Sequence, residues 1–277
     1  RGGPSTLTAG AVGTVSGTSI SFGSITTVAS KRPNYMNVVY DSNANKTAFF
    51  YRDDADTSDG YYVVCTVSGT SISGGSTATF NAADTSNIDA AYDSTAQKIV
   101  IGFKDHGFSP AVGRAIVGTI SNTSISFGSE VTFSGSDAAE SISVTYDSTN
   151  DKTFIFCEKD NTLQGILGTV SGTSISFGSN VTFASGYINF ISAAFDSSNN
   201  KILTAFNYNS SGGGRVIVGT VSGTSISFGA ESTISGYGYY PVITYNSTSN
   251  SFVVYSVDLS ANGLVYETGT VSGTSTT

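Results

Sequence analysis

Gly-Thr-Val-Ser-Gly-Thr-Ser-Ile-Ser-Phe-Gly-Ser, residues 168–179, is the stretch that decides the fold, because close copies of it recur along the chain. Successive copies are 50 to 53 residues apart. A fixed period of this length is the sequence signature of a repeat architecture. The first threonine of each copy, or its equivalent, is Thr14, Thr66, Thr119, Thr169, Thr220 or Thr270.

A second marker, Tyr-Asp-Ser or a close variant, keeps the same period and sets the number of repeats at five. Each repeat contains four runs of β-branched and aromatic residues separated by short turns, which is the pattern of strands. We name these predicted strands A to D; in one repeat they lie near 141–146, 152–157, 167–170 and 174–183. The markers begin at Tyr40, Tyr92, Tyr146, Phe195 and Tyr245.

Four antiparallel strands in every 50 residues are what a propeller blade requires. The sequence therefore predicts an all-β fold, a five-bladed β-propeller of four-stranded antiparallel blades. The whole chain, residues 1–277, is expected to form a single domain with one surplus terminal strand.

The turn between strands C and D predicts how these strands pair. If Gly17-Thr18 is a two-residue type II′ turn, then Val15 lies opposite Ile20, and Gly13 lies opposite Phe22. An aromatic ring then covers the bare backbone of a strand glycine. The same rule gives the pairs Gly118–Phe127, Gly168–Phe177 and Gly219–Phe228, and one exchanged pair, Cys65–Gly74.

Closure of the predicted ring leaves one strand unused, because six C strands accompany five A strands. If residues 19–28 join the last blade, the surplus strand lies within 7–16 or 264–272. We expect the chain to be one module of a longer array, and a frayed terminus is the open alternative. The chain lacks an initiator Met and a signal-peptide pattern at its start, so we expect a processed chain or a fragment.

Composition excludes several functions for this chain of 277 residues. It has 12 Lys and Arg against 20 Asp and Glu, a net charge of −8, which disfavours nucleic acid and anionic membrane surfaces as partners. No apolar run approaches the roughly 18 residues of a membrane span, so we expect no membrane insertion. Two cysteines cannot form a disulfide framework.

The loops on one predicted face vary between repeats, and variable loops on a rigid scaffold are the usual place for function. These are the loops from B to C and from D to A. Their aromatic, acidic and amide side chains fit a sugar-binding or protein-docking surface, although several rings could instead plug gaps between blades. The predicted ligand-binding residues are Tyr35, Arg52, Asp53, Asp105, His106, Phe108, Tyr187, Tyr208, Tyr237, Tyr239, Tyr240 and Asp258.

Residues for triad or metal chemistry are missing from the sequence. His106 has no recognisable nucleophile partner, and Cys65 and Cys157 are expected to be buried, inert thiols. The loop that begins at Asp41 lacks the glycine of a calcium loop, so a plain turn is favoured. We predict no cofactor and no metal. Glycoside hydrolysis is one alternative, with Asp89 and Glu140 as its two carboxylates.

The repeat unit, complete at residues 13–24 and 168–179, resembles repeats in tail-fibre and other structural proteins of bacteriophages, particularly marine ones, and in some bacterial surface proteins. The resemblance covers about residues 11–275. Few lysines, abundant Ser, Thr and Gly, and the net negative charge suit an extracellular or virion-surface location. The repeat unit carries no established catalytic residues.

The leading hypothesis is a non-catalytic recognition module, not an enzyme, that binds a cell-surface glycan or receptor within a larger fibre or adhesin. Other copies or neighbouring modules of that fibre are further expected partners. A structural spacer or assembly module is the first alternative, and a glycoside hydrolase is the second.

Overall fold

The computed structural model describes residues 7–55, 57–135, 138–208, 213–234, 238–258 and 263–277. Every regular element in these residues is a β-strand. No helix in this part of the chain is long and apolar enough to cross a membrane. The fold is all-β and consists of several antiparallel sheets, as the sequence predicts.

The described residues begin with four short strands, which together we call the N-terminal hairpin. Five units of strands follow them. The hairpin contains β1 (Thr8–Gly10), β2 (Gly13–Ser16), β3 (Ser19–Phe22) and β4 (Thr26–Ala29). Unit 1 contains β5 (Pro33–Asp41), β6 (Lys46–Asp53), β7 (Asp59–Ser68) and β8 (Ser71–Gly74). Unit 2 contains β9 (Ala78–Asp93), β10 (Lys98–Asp105), β11 (Val112–Ser121), β12 (Ser124–Phe127) and β13 (Val131–Ser134).

The remaining three units repeat this order. Unit 3 contains β14 (Ala138–Asp147), β15 (Lys152–Lys159), β16 (Thr162–Ser171), β17 (Ser174–Phe177) and β18 (Val181–Ser185). Unit 4 contains β19 (Ile188–Asp196), β20 (Lys201–Tyr208), β21 (Gly214–Ser222), β22 (Ser225–Phe228) and β23 (Ser232–Thr233). Unit 5 contains β24 (Tyr239–Asn246), β25 (Ser251–Asp258), β26 (Gly263–Gly269), β27 (Val271–Ser272) and β28 (Ser275–Thr276).

The predicted pairing of strands C and D is confirmed in every copy that the sequence rule covers. Val15 pairs with Ile20, Gly13 with Phe22, and the exchanged pair Cys65–Gly74 is present. At the turns, the first central residue has a positive φ, 59° at Gly17 and 56° at Asn122, as a type II′ turn requires. The other confirmed pairs are Gly118–Phe127, Gly168–Phe177 and Gly219–Phe228.

Close packing explains the glycine in these pairs. A Cβ atom at Gly168 would come within 2.5 Å of Ile175 and 3.0 Å of Phe177. In the exchanged pair Cys65–Gly74, the atom that comes closest to the glycine is the backbone carbonyl oxygen of Val28. A Cβ there would lie 2.1 Å from that oxygen. Gly74 therefore makes room for the N-terminal hairpin.

Strand D is not continuous, contrary to the single run predicted for residues 174–183. In unit 3 it is split into β17 and β18, which pair with successive parts of β16. Strand β9, in contrast, runs without a break from one unit into the next. It first pairs with β7 of unit 1 and then continues as the first strand of unit 2, paired with β10.

The turn from A to B is held by an aspartate in four units. The carboxylate of Asp41 accepts hydrogen bonds of 2.9 Å from the backbone N–H groups of Asn43 and Ala44. This is a plain turn closed by a side chain. Asp93, Asp147 and Asp196 close their turns in the same way.

The ends of the chain differ from the expected closure. In the described residues, β3 and β4 pair with β2 and β1, not with the last sheet. The last sheet has its own third strand, β26, beside β25. The N-terminal hairpin packs on unit 1, where Val28 and Ala29 join a core with Phe49 and Cys65. Buried apolar clusters likewise connect each later unit to its neighbour.

Candidate functional site

The first strand of each unit lines one central cavity of about 450 Å³. These five inner strands are β5, β9, β14, β19 and β24. In each of them the pairing with the second strand shifts at a β-bulge. Bulges redirect side chains and are common at barrel rims and active sites.

One residue at each bulge, five positions before the Tyr-Asp-Ser marker, has a left-handed backbone. The φ values lie between 48° and 53°, which is unusual for residues other than glycine, and such strain concentrates at functional sites. All five residues line the central cavity. We call them the rim: Tyr35, Asn87, Ser141, Phe190 and Tyr240.

The rim is aromatic on one side and polar on the other. The rings of Phe190 and Tyr240 lie 4.1 Å apart, and both are exposed. The guanidinium of Arg52 lies 5.7 Å from the ring centre of Tyr35. The Ser141 hydroxyl accepts a 3.1 Å hydrogen bond from the backbone N–H of Phe190, which joins two neighbouring units at the rim.

Two residues further along β5, β9, β14 and β19, the side chain joins one unit to the next. The Ser143 hydroxyl accepts a hydrogen bond from the backbone N–H of Ala193, at 3.1 Å. Ser192 accepts one in the same way from Ile243, at 3.2 Å. In unit 2 this position is Asp89, so the linking group there is ionisable.

Asp89 is the one acidic side chain among the described residues that line the central cavity. Its carboxylate accepts hydrogen bonds from the backbone N–H groups of Val144, at 2.7 Å, and Ala90, at 2.9 Å. The amide of Asn37 donates a third. Burial raises the pKa of Asp89 to about 6, although these hydrogen bonds oppose the rise. Its carboxylate oxygens are therefore committed mainly to holding β9 and β14 together.

A second cavity, of about 430 Å³, adjoins the first and shares Asn87 and Ser141 with it. This cavity contains acidic side chains and an exposed aromatic ring, Tyr187. Acids and amides suit the hydroxyl groups of a sugar, and a ring suits its apolar face. The other lining residues include Glu140, Glu158, Asp160, Asn161 and Asn189.

Glu140 and Glu158 are directly opposite each other in the antiparallel pair of β14 and β15. Directly opposed residues have Cβ atoms about 5 Å apart, so the two carboxylates share one part of the cavity. Burial raises the pKa of Glu158, and the negative charge of Glu140 raises it further. Glu158 is therefore the carboxyl of the pair that retains its proton to higher pH.

The pKa of Glu140 moves in the opposite direction. Burial alone would raise it, but hydrogen bonding and ion pairing with Lys104 outweigh burial and lower the pKa below its ordinary value. The Asn87 amide also donates to the Glu140 carboxylate, at 3.1 Å. Two neighbouring carboxyl groups with pKa values shifted apart are the usual arrangement of a catalytic acid beside an ionised carboxylate.

The predicted ligand-binding residues do not form one site. Tyr35 and Tyr240 lie at the rim, and Tyr187 lines the second cavity. Tyr239 begins β24 beside the rim, whereas Asp258 ends β25. Tyr237 lies outside the described residues.

Two of the predicted acids have structural roles. Asp53 is buried, accepts hydrogen bonds of 3.1 Å from the backbone N–H groups of Arg32 and Ala55, and pairs with Lys31 at 3.0 Å. Asp105 is also buried and accepts a 2.8 Å hydrogen bond from the backbone N–H of its neighbour Gly107. Neither carboxylate faces the two cavities.

The remaining predicted residues pair locally. Arg52 bonds Asp54 at 3.0 Å, and a ring nitrogen of His106 lies 2.8 Å from the Ser86 hydroxyl. Phe108 and Tyr208 each lie beside an arginine guanidinium, at 5.1 and 5.5 Å. Both cysteines are buried, and burial raises the pKa of Cys65 to about 11 and that of Cys157 to about 12. Among the described residues, no three His, Cys, Asp or Glu side chains are grouped to hold a metal ion.

Sequence reasoning missed Glu158 because it appears only as one loop residue after strand B. The signal was available in part, since Asp147 pairs with Lys152 across the A–B turn. Counting outward along both strands brings Glu140 near residues 158 and 159. The bulge between Glu140 and Ser143 shifts the register by one residue, so that Glu140 pairs with Glu158. No sequence motif marks that bulge.

No protein-family model matches the sequence, and no curated protein matches it. Solved structures do match the fold. A protein from Lactobacillus plantarum is similar with a TM-score of 0.58 at 11% identity, covering 94% of this chain and 80% of that one. AofleA from Arthrobotrys oligospora is similar with a TM-score of 0.56 at 9% identity, covering 92% and 78%. The fold is therefore propeller-like, and the comparisons show no link to tail fibres or adhesins.

An exo-beta-1,3-galactanase from Phanerochaete chrysosporium, solved with galactose, has the same fold with a TM-score of 0.52 at 9% identity. The match covers 87% of this chain and 68% of that one. At this identity it shows the fold alone. It corrects the expectation of a non-catalytic module and of a chain that is not an enzyme. That expectation rested on absent motifs, whereas an enzyme has this fold.

Proposed function

We propose that this protein is a glycoside hydrolase and that the second cavity is its active site. The observation that carries the proposal is the cross-strand pair Glu140–Glu158, whose pKa values are shifted in opposite directions inside one cavity. Glycosidases use two carboxyl groups on either side of the scissile bond, one as acid and one ionised. We also infer that the five units are the five blades of a propeller whose inner strands surround the central cavity.

Glu158 is the proton donor in this proposal. Its carboxyl transfers a proton to the glycosidic oxygen while the bond from that oxygen to the anomeric carbon breaks. The ionised Glu140 stabilises the positive charge that develops at the anomeric carbon. The oxygen of a water molecule then forms a bond to the anomeric carbon and keeps one hydrogen. The other proton of that water passes to the Glu158 carboxylate.

Lys104 and Asn87 position the ionised carboxylate. Both donate to Glu140, and Lys104 is buried, whereas the Glu140 side chain is 55% exposed. A charge-assisted contact of this kind keeps a carboxylate ionised and fixes its orientation. Lys104 and Asn87 are positioning residues, because their proposed effect passes through Glu140.

The aromatic residues indicate that the substrate is a saccharide. Tyr187 is exposed at the second cavity and offers a flat surface to the apolar face of a sugar ring. The rim rings of Phe190 and Tyr240 line the adjoining central cavity and can hold a further sugar unit. The exo-galactanase with this fold supports the same class. We place the activity outside the cell or at a virion surface, where polysaccharides are the available substrates.

The test is a hydrolysis screen on polysaccharides and aryl glycosides, including β-1,3-galactan, with reducing-sugar release as the readout. We expect Glu158→Gln to lower kcat by at least 100-fold on a substrate whose leaving group needs protonation. On an aryl glycoside with an acidic phenol, the kcat of Glu158→Gln should fall much less, because that leaving group departs without a proton. Glu140→Gln should lower kcat on both substrates.

Glu130→Gln is the matched control. Glu130 is also half-buried and pairs with an arginine, Arg114, at 3.1 Å, but it lies outside both cavities. Its activity should match that of the parent chain. Absence of hydrolysis across the screen, or full activity of Glu158→Gln on both substrate types, would overturn the proposal.

A further inference from the structure

Units 1 and 2 pack through an aromatic pair that receives a hairpin. Phe50 and Tyr62 are cross-strand partners on β6 and β7, both buried, with ring centres 6.5 Å apart. The Tyr62 hydroxyl accepts a 3.2 Å hydrogen bond from the backbone N–H of Ile125 and donates one of 3.2 Å to its carbonyl. The ring of Phe127 meets Tyr62 edge-on at 5.4 Å. Strand β12 of unit 2 is thereby held on unit 1.

Unit 5 carries an equivalent aromatic pair, and within the described residues no hairpin packs on it. Tyr255 and Tyr266 are cross-strand partners on β25 and β26 at the positions of Phe50 and Tyr62. Their ring centres are 6.1 Å apart with planes at 42°, close to the 6.5 Å and 40° of unit 1. Tyr255 is 45% exposed and Tyr266 is 69% exposed. The corresponding pairs in the other units are buried: Gly102–Ala115, Phe156–Gly165 and Ala205–Val216.

The N-terminal hairpin carries the complementary half of this interface. Ile20 and Phe22 on β3 occupy the positions that Ile125 and Phe127 occupy on β12. Ile20 is 54% exposed and Phe22 is 67% exposed, whereas Ile125 is 7% exposed. The other three equivalents of Ile20 are also buried: Ile72, Ile175 and Ile226.

We propose that the N-terminal hairpin of one copy of this chain docks on the Tyr255–Tyr266 face of a second copy. Ile20 would then stand against Tyr266 as Ile125 stands against Tyr62. The proposed interface has the same composition as the one that joins unit 1 to unit 2: an isoleucine and a phenylalanine of a hairpin pack on a cross-strand aromatic pair. Because the two surfaces differ, the contact is head-to-tail, and it can extend beyond a dimer or close into a ring of copies.

Two features favour a second copy over closure within one chain. Strands β3 and β4 are already paired with β2 and β1, so they do not supply a fourth strand to the last sheet. The hairpin is also anchored to unit 1 by Val28 and Ala29, which directs Ile20 and Phe22 away from the unit that holds it. Large exposed apolar surfaces of this kind mark interaction sites.

The experiment is sedimentation velocity over a concentration series of the full chain. We expect the parent chain to associate with rising concentration, and Ile20→Asp and Tyr266→Asp each to weaken association at least tenfold. Ser227→Asp adds the same charge at an exposed hairpin position in unit 4 and should associate as the parent does. Circular dichroism would confirm that all variants remain folded.

Mixing the two weakened variants gives a sharper result. The Ile20→Asp chain still has an intact tyrosine face, and the Tyr266→Asp chain still has an intact hairpin. At a concentration where each variant alone is monomeric, the equimolar mixture should form a dimer that does not grow further. A parent chain that stays monomeric throughout the series, or a mixture that fails to form the dimer, would overturn the proposal.

Discussion

The carboxylate of Asp89 accepts a 2.7 Å hydrogen bond from the backbone N–H of Val144, and this contact joins the inner strands of units 2 and 3. Ser143 and Ser192 make the equivalent links in the next two units. A serine hydroxyl is neutral at every pH of interest, whereas a carboxyl is not. The link at Asp89 is therefore the one of these three whose strength depends on pH.

Stability should fall as pH rises through the titration of Asp89. Its pKa is about 6 in the folded chain against an ordinary value of 3.8, so the folded state holds the proton more tightly. The stabilisation is complete below pH 4 and is lost between about pH 4 and 6, up to roughly 3 kcal/mol at 1.36 kcal/mol per pKa unit. Asp89→Asn should remove this dependence and be more stable than the parent at pH 7. Urea denaturation at pH 4 and pH 7 measures both effects, and an equal pH dependence in the two chains would contradict the prediction.

Hydrolysis should follow a bell-shaped pH profile. Activity needs Glu158 protonated and Glu140 ionised. The raised pKa of Glu158 sets the alkaline limb, and the lowered pKa of Glu140 sets the acidic limb. Lys104→Gln should move the acidic limb of kcat to higher pH, because Glu140 loses the ammonium group that lowers its pKa. An acidic limb that stays in place in this variant would exclude Lys104 as a positioning residue.

Removing the rim rings should affect substrate binding more than folding. Phe190 and Tyr240 contact each other at 4.1 Å but remain exposed, so replacing both with alanine should cost about 1 kcal/mol of stability. On a long saccharide we expect KM to rise about tenfold with little change in kcat. Thermal denaturation and steady-state kinetics separate the two effects, and a large drop in Tm would assign the rings to packing.

A methyl group at Gly74 should loosen the N-terminal hairpin. The added Cβ would lie 2.1 Å from the carbonyl oxygen of Val28, which is backbone and cannot move aside without shifting β4. Gly74→Ala should therefore cost about 2 to 3 kcal/mol. Gly69→Asn is the control, because φ there is 57° with open space around it, and Asn122 serves at the equivalent turn. Equal stability of the two variants in urea would show that the hairpin is not held at Gly74.

Both cysteines should resist alkylation in the folded chain. Burial raises the pKa of Cys65 to about 11 and that of Cys157 to about 12, so almost no thiolate is present at pH 8. Iodoacetamide at pH 8 should modify neither residue until urea is added. Mass spectrometry after short exposure provides the measurement, and rapid labelling of either thiol in the native chain would contradict it.

The strand register was predictable because the C–D turn is local and chemically marked. A glycine or asparagine at the first turn position fixes the pairing, and the exchanged pair Cys65–Gly74 reports contact across the strands. The division of strand D at residues 178–180 was missed, although Gly178, Ser179 and Asn180 favour turns over strands.

The candidate site was only partly predictable for a similar reason. Glu140 was recognised, but its partner depends on a bulge that shifts the pairing with β15. The rim residues share a backbone conformation and not a residue type, since Tyr35, Ser141 and Phe190 have no common preference for positive φ. The strain comes from the surrounding strands, which hold the position in every unit whatever side chain it bears.

The unbroken strand β9 has a consequence for how the protein opens. Because its first half belongs to the sheet of unit 1 and its second half to that of unit 2, no loop separates these two units. Neither can lose its strands without exposing the amides of the other, so the pair forms one cooperative foldon. Local opening is then expected first at the junctions between later units, and amide exchange along β9 should report the slowest opening of units 1 and 2.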